Sequence, residues 1–452
     1  MITEFMFLDK KSSVPLWKQI EFYIKEAIKS GVLEVGKKLP SIRELALQLN
    51  VSRCPVENAY VELQIQGYIE SRPKSGYFVS THLNLIESKK REIKILPSNN
   101  IEYDFRRGQV DKKTADVLVW QKYLRKALSN EEEIISHGDP QGEIKLREAI
   151  AEYTYLARGV KCTSENVVIA TGTQHLLTLL CRFVGEKKRV AIEAPGFLQA
   201  EQIFTDFGWK KKIINKTENI IQVLEKEKIN IFTEITSNMP YTSLSVMTNR
   251  RNLLLTWAKE KSSYIIEDDF NGELRYLSRS IPALQGLSPE RVIYIGSFSN
   301  LLLPSVRIAY MVLPYELMRR VGDKIENYAQ TASKIEQLAL AEYIKDKKLE
   351  KHLKRSRKIY SQKVRKLVDA ININFMNAKI KIFETSMSVS VEFEGVKDYW
   401  ALQHEAVKNG IELDVITVED SPKIALSFSG VEENKIEEAV RKLAEVWQKF
   451  KI

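Results

Sequence analysis

LPSIRELALQLNVSRCPVENAYVELQIQGYIESRPKSGYFV, residues 39–79, is the stretch from which the N-terminal fold is read. Ser41 caps a helix, and Glu44 three residues on completes a capping box. Leu45, Ala46 and Leu49 form an apolar stripe, and Asn50-Val51 makes a tight turn. Ser52 is then expected to cap a second helix, in which Val56, Ala59, Tyr60 and Leu63 recur at helical spacing until Gly67 ends it. Tyr68-Ile69 and Tyr77-Phe78-Val79 read as two short strands around Pro73-Lys74-Ser75-Gly76. Two short helices across a tight turn, followed by a hairpin, make a winged helix-turn-helix. Upstream, residues 15–30 (PLWKQIEFYIKEAIKS) form an amphipathic helix, with Ile20, Tyr23, Ile24, Ala27 and Ile28 on the face that packs beneath it. In such a unit the second helix enters a major groove and presents Ser52, Arg53, Cys54 and Pro55. Arg43, and the wing residues Lys74, Ser75 and Gly76, would meet the phosphate backbone. The bare spacing fits an ordinary helical subdomain with solvated charges equally well.

The full run resembles the DNA-binding domain of the GntR family of bacterial transcription regulators. The resemblance is carried by Gly31-Val32-Leu33, Gly36, Leu39-Pro40-Ser41, Arg43, Leu45-Ala46, Val51-Ser52-Arg53, Ala59-Tyr60, Leu63, Gly67-Tyr68 and Gly76 to Val79. It implies a double-stranded DNA operator as partner. One departure stands on the reading helix: small polar residues usual after Ser-Arg are here Cys54-Pro55, so an unusual operator is expected. Proline is tolerated early in a helix because its missing N–H has no helical partner there.

At 452 residues the chain is too long for one compact core. Hydrophobic content of 44% and charged content of 28% are those of a soluble globular protein. A net charge of +10 fits a nucleic-acid partner without requiring one. Cys54, Cys162 and Cys181 have neither metal-ligand spacing nor an even disulfide framework, which fits a reducing compartment. No metal site is expected. With no apolar leader and no run of membrane-spanning length, the expected location is the cytoplasm and no membrane partner is expected.

Residues 1–80 form the first domain in this reading, and the polar, aperiodic stretch 81–102 is a linker. From Tyr103, strand-like runs alternate with helical ones: Val167 to Ala170, Arg189 to Ile192, Ile229 to Phe232, Tyr264 to Ile266 and Val292 to Ile295. Such alternation signals a parallel sheet with helices on both faces. Long helices are expected between Tyr315 and Asp369, and a smaller α+β subdomain from about residue 370 to 452. Its strands are Ile380 to Phe383, Ser388 to Phe393 and Ile424 to Phe428.

This second domain, 103–452, is similar to fold-type I aminotransferases. The matching runs are Phe105 to Gly108, His137 to Tyr153, Arg158 to Val160, Ala170 to Gln174, Ala194 to Phe197, Glu267 to Tyr276 and Gly296 to Pro314. A GntR-like domain ahead of an aminotransferase-like one is the layout of the MocR subfamily. That implies a multidomain α/β protein: a winged helix-turn-helix, then a fold-type I PLP-dependent-transferase-like domain. It also implies a homodimer and a small-molecule effector.

The chemistry departs from the family. A pyridoxal 5′-phosphate (PLP) protein holds the aldehyde as a Schiff base on a lysine. That lysine follows Ser-Phe-Ser, and here the position is Asn300, with no lysine between Lys261 and Lys324. Ala425 stands where the family has the arginine that grips a ligand carboxylate. Phe270 replaces a tyrosine, and Tyr241-Thr242-Ser243-Leu244 replaces a Pro-Thr-Gly loop. Other cofactor-holding positions match: Asp268 for the ring nitrogen; Gly172, Thr173, Gln174, Ser297, Ser299 and Arg307 for the phosphate; Phe197 for stacking on the ring. The resemblance thus implies a DNA-binding regulator with a pseudoenzyme domain and no covalent cofactor. Non-covalent PLP, another phosphate ester, an amino-acid-like ligand and a purely architectural large domain all stay open, and the alternative reading is a PLP-binding regulator or aminotransferase.

Overall fold

The computed structural model describes residues 8–9, 12, 14–81, 101–193, 198–214, 219–235, 244–277, 281–418 and 421–450. The chain divides into two compact units, Met1–Leu96 and Pro97–Ile452. The expected linker, 81–102, lies almost wholly outside the described residues.

The first unit packs helices Leu16–Lys29, Ile42–Gln48 and Arg53–Ile65 with a hairpin of Ile69–Arg72 and Gly76–Val79. Ile20, Ile24 and Ile28 repeat every fourth residue on the first helix and are fully buried against Val56, Ala59, Tyr60 and Leu63. The capping box forms: the Glu44 N–H donates to Ser41 Oγ at 3.2 Å, and the Ser41 N–H donates to Glu44 Oε2 at 3.4 Å. Asn50 takes the left-handed conformation, φ 49°, that the tight turn requires and asparagine tolerates. The hairpin pairs Ile69 with Val79 and Arg72 with Gly76, one residue later in its first strand than the sequence suggested. The Val79 N–H donates to the Lys37 carbonyl and the Leu39 N–H to the Tyr77 carbonyl, so residues 37–39 flank the wing as a third short edge.

The second unit is built on a seven-stranded sheet. Its order is Val167–Ala170, Ala309–Val312, Val292–Ser297, Tyr264–Asp268, Ile231–Ile235, Arg189–Glu193 and Lys210–Ile214. The sheet is mixed, not all parallel: Ala309–Val312 runs antiparallel to both neighbours. The reason is the short return Phe298–Ile308 from the preceding strand, since a parallel partner needs a crossover of about a dozen residues or more. One face carries Val190, Ile192, Ile231, Ile266, Ile293 and Ile295 against helices Thr173–Val184 and Leu198–Asp206. The other carries Ala191, Phe232, Ile265 and Val292 against Trp257 and Ala258 of helix Leu244–Glu260.

Two further strands depart from the sequence reading. The run placed at Ile229 to Phe232 is shifted to Ile231–Ile235. Lys210–Ile214 was missed because its lysines mark it as polar, yet lysine is what an exposed sheet edge tolerates. The region from Tyr315 to Asp369 is three helices, Tyr315–Ile325, Lys334–Lys345 and Lys348–Asn374. The small subdomain has four antiparallel strands in the order Lys379–Phe383, Ser388–Glu392, Ser421–Ser427, Asp414–Val418, the last of them unexpected from sequence. Buried Lys363 of the long helix donates to Asp111 Oδ2 and, at 3.1 Å, to the Ser429 carbonyl, tying that subdomain to the start of the unit.

Candidate functional site

In the first unit Arg43, Ser52, Arg53 and Lys74 are all exposed. Arg43, Arg53 and Lys74 are three exposed cations that meet no ion-pair or hydrogen-bond partner among the described residues. Lys74 sits at the wing tip with φ 60°, followed by Gly76 at φ 105°. Ser52 requires a correction. It occupies the cap position with extended backbone, but its hydroxyl makes no cap hydrogen bond. A cap oxygen accepts from the second or third helical N–H, and the third residue here is Pro55, which has none. Cys54 is exposed, its sulfur accepting from Asn58 Nδ2 at 3.7 Å. Pro55 is half-buried, and Ser75 and Gly76 are exposed.

In the second unit the positions expected to hold a phosphorylated ring sit on the sheet and its adjoining turns. Asp268 ends a central strand, in register with Ile235 and Ile295. Burial, with the neighbouring Asp269 carboxylate adding to it, pushes the Asp268 carboxyl up to about 7. Asp269 is only 2% exposed and serves structure, accepting from Arg158 Nε at 2.6 Å and from the Tyr294 hydroxyl at 2.7 Å. Glu267 turns the other way and accepts the N–H groups of Leu284 and Gln285.

Gly172 caps helix Thr173–Val184 with φ 81° and ψ 166°, a region essentially closed to other residues. A Cβ there would stand 2.9 Å from Arg307 Nη2, so the glycine is what lets the guanidinium lie against the helix start. Arg307 is itself held at φ 52°, ψ 35°, a conformation that costs a non-glycine residue about 1–3 kcal/mol. Around them, Thr171 Oγ1 and Ser299 Oγ are buried with no hydrogen-bond partner among the described residues, and Ser297 Oγ accepts the Ser299 N–H at 3.3 Å. Thr173 is half-buried and Gln174 exposed. A helix start, a guanidinium and two unsatisfied hydroxyls form an arrangement suited to an anion. Thr171 was missed in the sequence because only the packing around its unpaired hydroxyl marks it out.

The described residues at the other expected pocket positions are these. Asn300, half-buried in the return after strand Val292–Ser297, offers an amide where an imine would need an amine. Ala425 is fully buried in strand Ser421–Ser427, between Ser390 and Asp414, and brings no cation. Phe270 is half-buried. Phe197 and residues 241–243 lie outside the described residues. The residues present fit the phosphate end of the cofactor and not its aldehyde end. A cavity of about 540 Å³ bordered by Lys379, Glu392, Lys397 and Tyr399 shares none of these residues. Among the described residues no group of three or more His, Cys, Asp or Glu could hold a metal ion, and no helix is long and apolar enough to cross a membrane.

Residues 16–79 match bacterial regulatory proteins of the gntR family, and residues 102–443 match aminotransferase class I and II. The chain is a GntR-family transcription regulator of the MocR type. The uncharacterized HTH-type transcriptional regulator YdeL of Bacillus subtilis is 35% identical over 98% of this chain and 99% of its own length. The probable rhizopine catabolism regulatory protein MocR of Rhizobium meliloti is 28% identical, covering 79% of this chain and 77% of its own. Among solved structures, a kynurenine aminotransferase of Pyrococcus horikoshii aligns with TM-score 0.66 at 23% identity, over 77% of this chain and 91% of that one. At that identity the likeness shows the fold alone. The winged helix-turn-helix of this MocR-type regulator is thus its DNA-binding part, joined to a fold-type I domain.

Proposed function

We propose that this regulator binds an operator through Arg43, Ser52, Arg53 and Lys74 and uses its aminotransferase-like domain for dimerisation and effector sensing, without transaminase chemistry. Asn300 is the observation that carries the second half. A carboxamide nitrogen is not nucleophilic, so no imine forms at that position. Ala425 supports the same reading, because a transaminase must fix the carboxylate of its amino-acid substrate and this strand supplies no arginine.

The effector in this reading carries a phosphate, received by Arg307 and the N–H groups at the start of helix Thr173–Val184. When bound non-covalently, PLP would supply that phosphate and a ring nitrogen, with Asp268 placed for the nitrogen. Fold-type I domains place their pockets at a subunit interface, so two DNA-binding units would engage two half-sites, in the cytoplasm where the operator lies. The test is amino transfer: purified protein with PLP, an amino donor and a keto acid should give no turnover, while duplex selected from a random pool should bind with steep salt dependence. Sustained amino-donor-dependent turnover would overturn the pseudoenzyme reading.

A further inference from the structure

The first turn of helix Arg53–Ile65 differs chemically from the polar surface that base reading usually employs. Its side chains in order are Ser52, Arg53, Cys54 and Pro55. Pro55 has no N–H, and the consequence is visible by contrast with the preceding helix. There Ser41 Oγ is consumed by the Glu44 N–H; here Ser52 Oγ is left out of the cap. Arg53 meets no counter-charge among the described residues, and the turn contains no acidic residue. Next to these polar groups lie an exposed thiol and a half-buried proline ring, both presenting apolar surface.

Every base-pair edge in the major groove offers hydrogen-bonding atoms, and thymine alone adds an apolar group, its C5 methyl. A thiol and a pyrrolidine ring leave the hydrogen-bonding atoms of a guanine, cytosine or adenine edge without partners, which costs free energy on desolvation. A thymine edge carries such atoms too, but only its methyl offsets part of that cost by packing on the two apolar side chains. We infer that Cys54 and Pro55 select thymine by packing on its C5 methyl, beside the bases or phosphates met by Ser52 and Arg53. The inference rests on the DNA-binding reading and deepens it: the ligand of this surface is a thymine-bearing half-site. It also assigns Pro55 a double part, since the residue that supplies apolar surface also releases the Ser52 hydroxyl toward the DNA.

The test uses the full chain and a duplex selected from a random pool. Each dT is replaced in turn by dU, which removes the methyl and keeps every hydrogen-bonding atom. At one position per half-site the affinity should fall about four-fold, the worth of one buried carbon. The double variant Cys54→Ser/Pro55→Ser restores the third N–H and removes the apolar surface, and a thermal melt checks that it is folded. In it the dU penalty should vanish. Sequence-specific binding in which no dU substitution matters would overturn the thymine reading and leave the DNA-binding reading intact. A penalty that persists in the double variant would overturn the assignment to Cys54 and Pro55. Failure to enrich any duplex would overturn both readings together.

Discussion

Replacing Arg53 by Ala separates base reading from backbone binding. The guanidinium is exposed at the first position of the reading helix and pairs with nothing among the described residues. Its removal breaks no ion pair or hydrogen bond among the described residues, and the folding cost should stay within about 0.5 kcal/mol. On DNA, a bidentate arginine–guanine pair is worth about 1–3 kcal/mol, so each half-site should lose about 5- to 150-fold in affinity. Lys74→Ala is the control, because a wing-tip ammonium at φ 60° offers a point charge to the backbone without base information. It should weaken selected and scrambled duplexes alike and lower the salt slope by about one. The assay is fluorescence anisotropy on both duplexes across a salt series. Arg53→Ala should collapse the ratio of the two affinities while leaving the scrambled duplex nearly unaffected. Equal losses on both duplexes, or none on the selected one, would refute the docking of this helix.

Three further outcomes follow from the second unit. Asp269→Asn removes the carboxylate that accepts from Arg158, 3% exposed, and should cost about 3–5 kcal/mol in urea unfolding; a loss below about 1 kcal/mol would contradict the pairing. Arg307→Ala should weaken pyridoxamine phosphate binding about 10- to 100-fold by calorimetry, the worth of a charge-assisted bond, and unchanged binding would move the phosphate elsewhere. The Asp268 carboxyl rises from 3.8 to about 7 on folding, so the folded protein holds that proton more tightly. Its contribution to stability is therefore full below about pH 4 and is lost as pH rises toward 7; Asp268→Asn should stabilise the ligand-free protein more at about pH 8 than at about pH 5 by urea melts, and an equal effect at both would contradict the shift.

The winged unit was legible because its signals are short-range. A capping box at Ser41 and Glu44, an asparagine able to take positive φ and a glycine closing the wing each specify local geometry from neighbouring residues. Ser52 misled because its cap depends on a donor three residues on, and the backbone chemistry of Pro55 outweighs the preference of serine. In the second unit, strands buried on both faces showed as apolar runs. Lys210–Ile214 was hidden by lysines that only its place at the sheet edge explains. The direction of Ala309–Val312 follows from the short return before it, a distance constraint that apolar pattern does not carry. Asn300 and Ala425 stood out by resemblance, whereas the unsatisfied hydroxyls of Thr171 and Ser299 emerged only from packing. Glu234 likewise was invisible in the sequence: 1% exposed, its carboxyl lifted by burial, it lies 3.5 Å from Arg250, which already grips Glu193.

The central claim is that this chain pairs a working DNA-binding unit with a large domain unable to hold PLP covalently. Its most direct test is the intact mass of the protein after equimolar PLP and borohydride, which reduces any Schiff base to a permanent adduct, followed by peptide mapping. The account predicts an unmodified chain, with no lysine labelled stoichiometrically. Stoichiometric adduct on one defined lysine would contradict it, because another residue would then have taken over the place of Asn300.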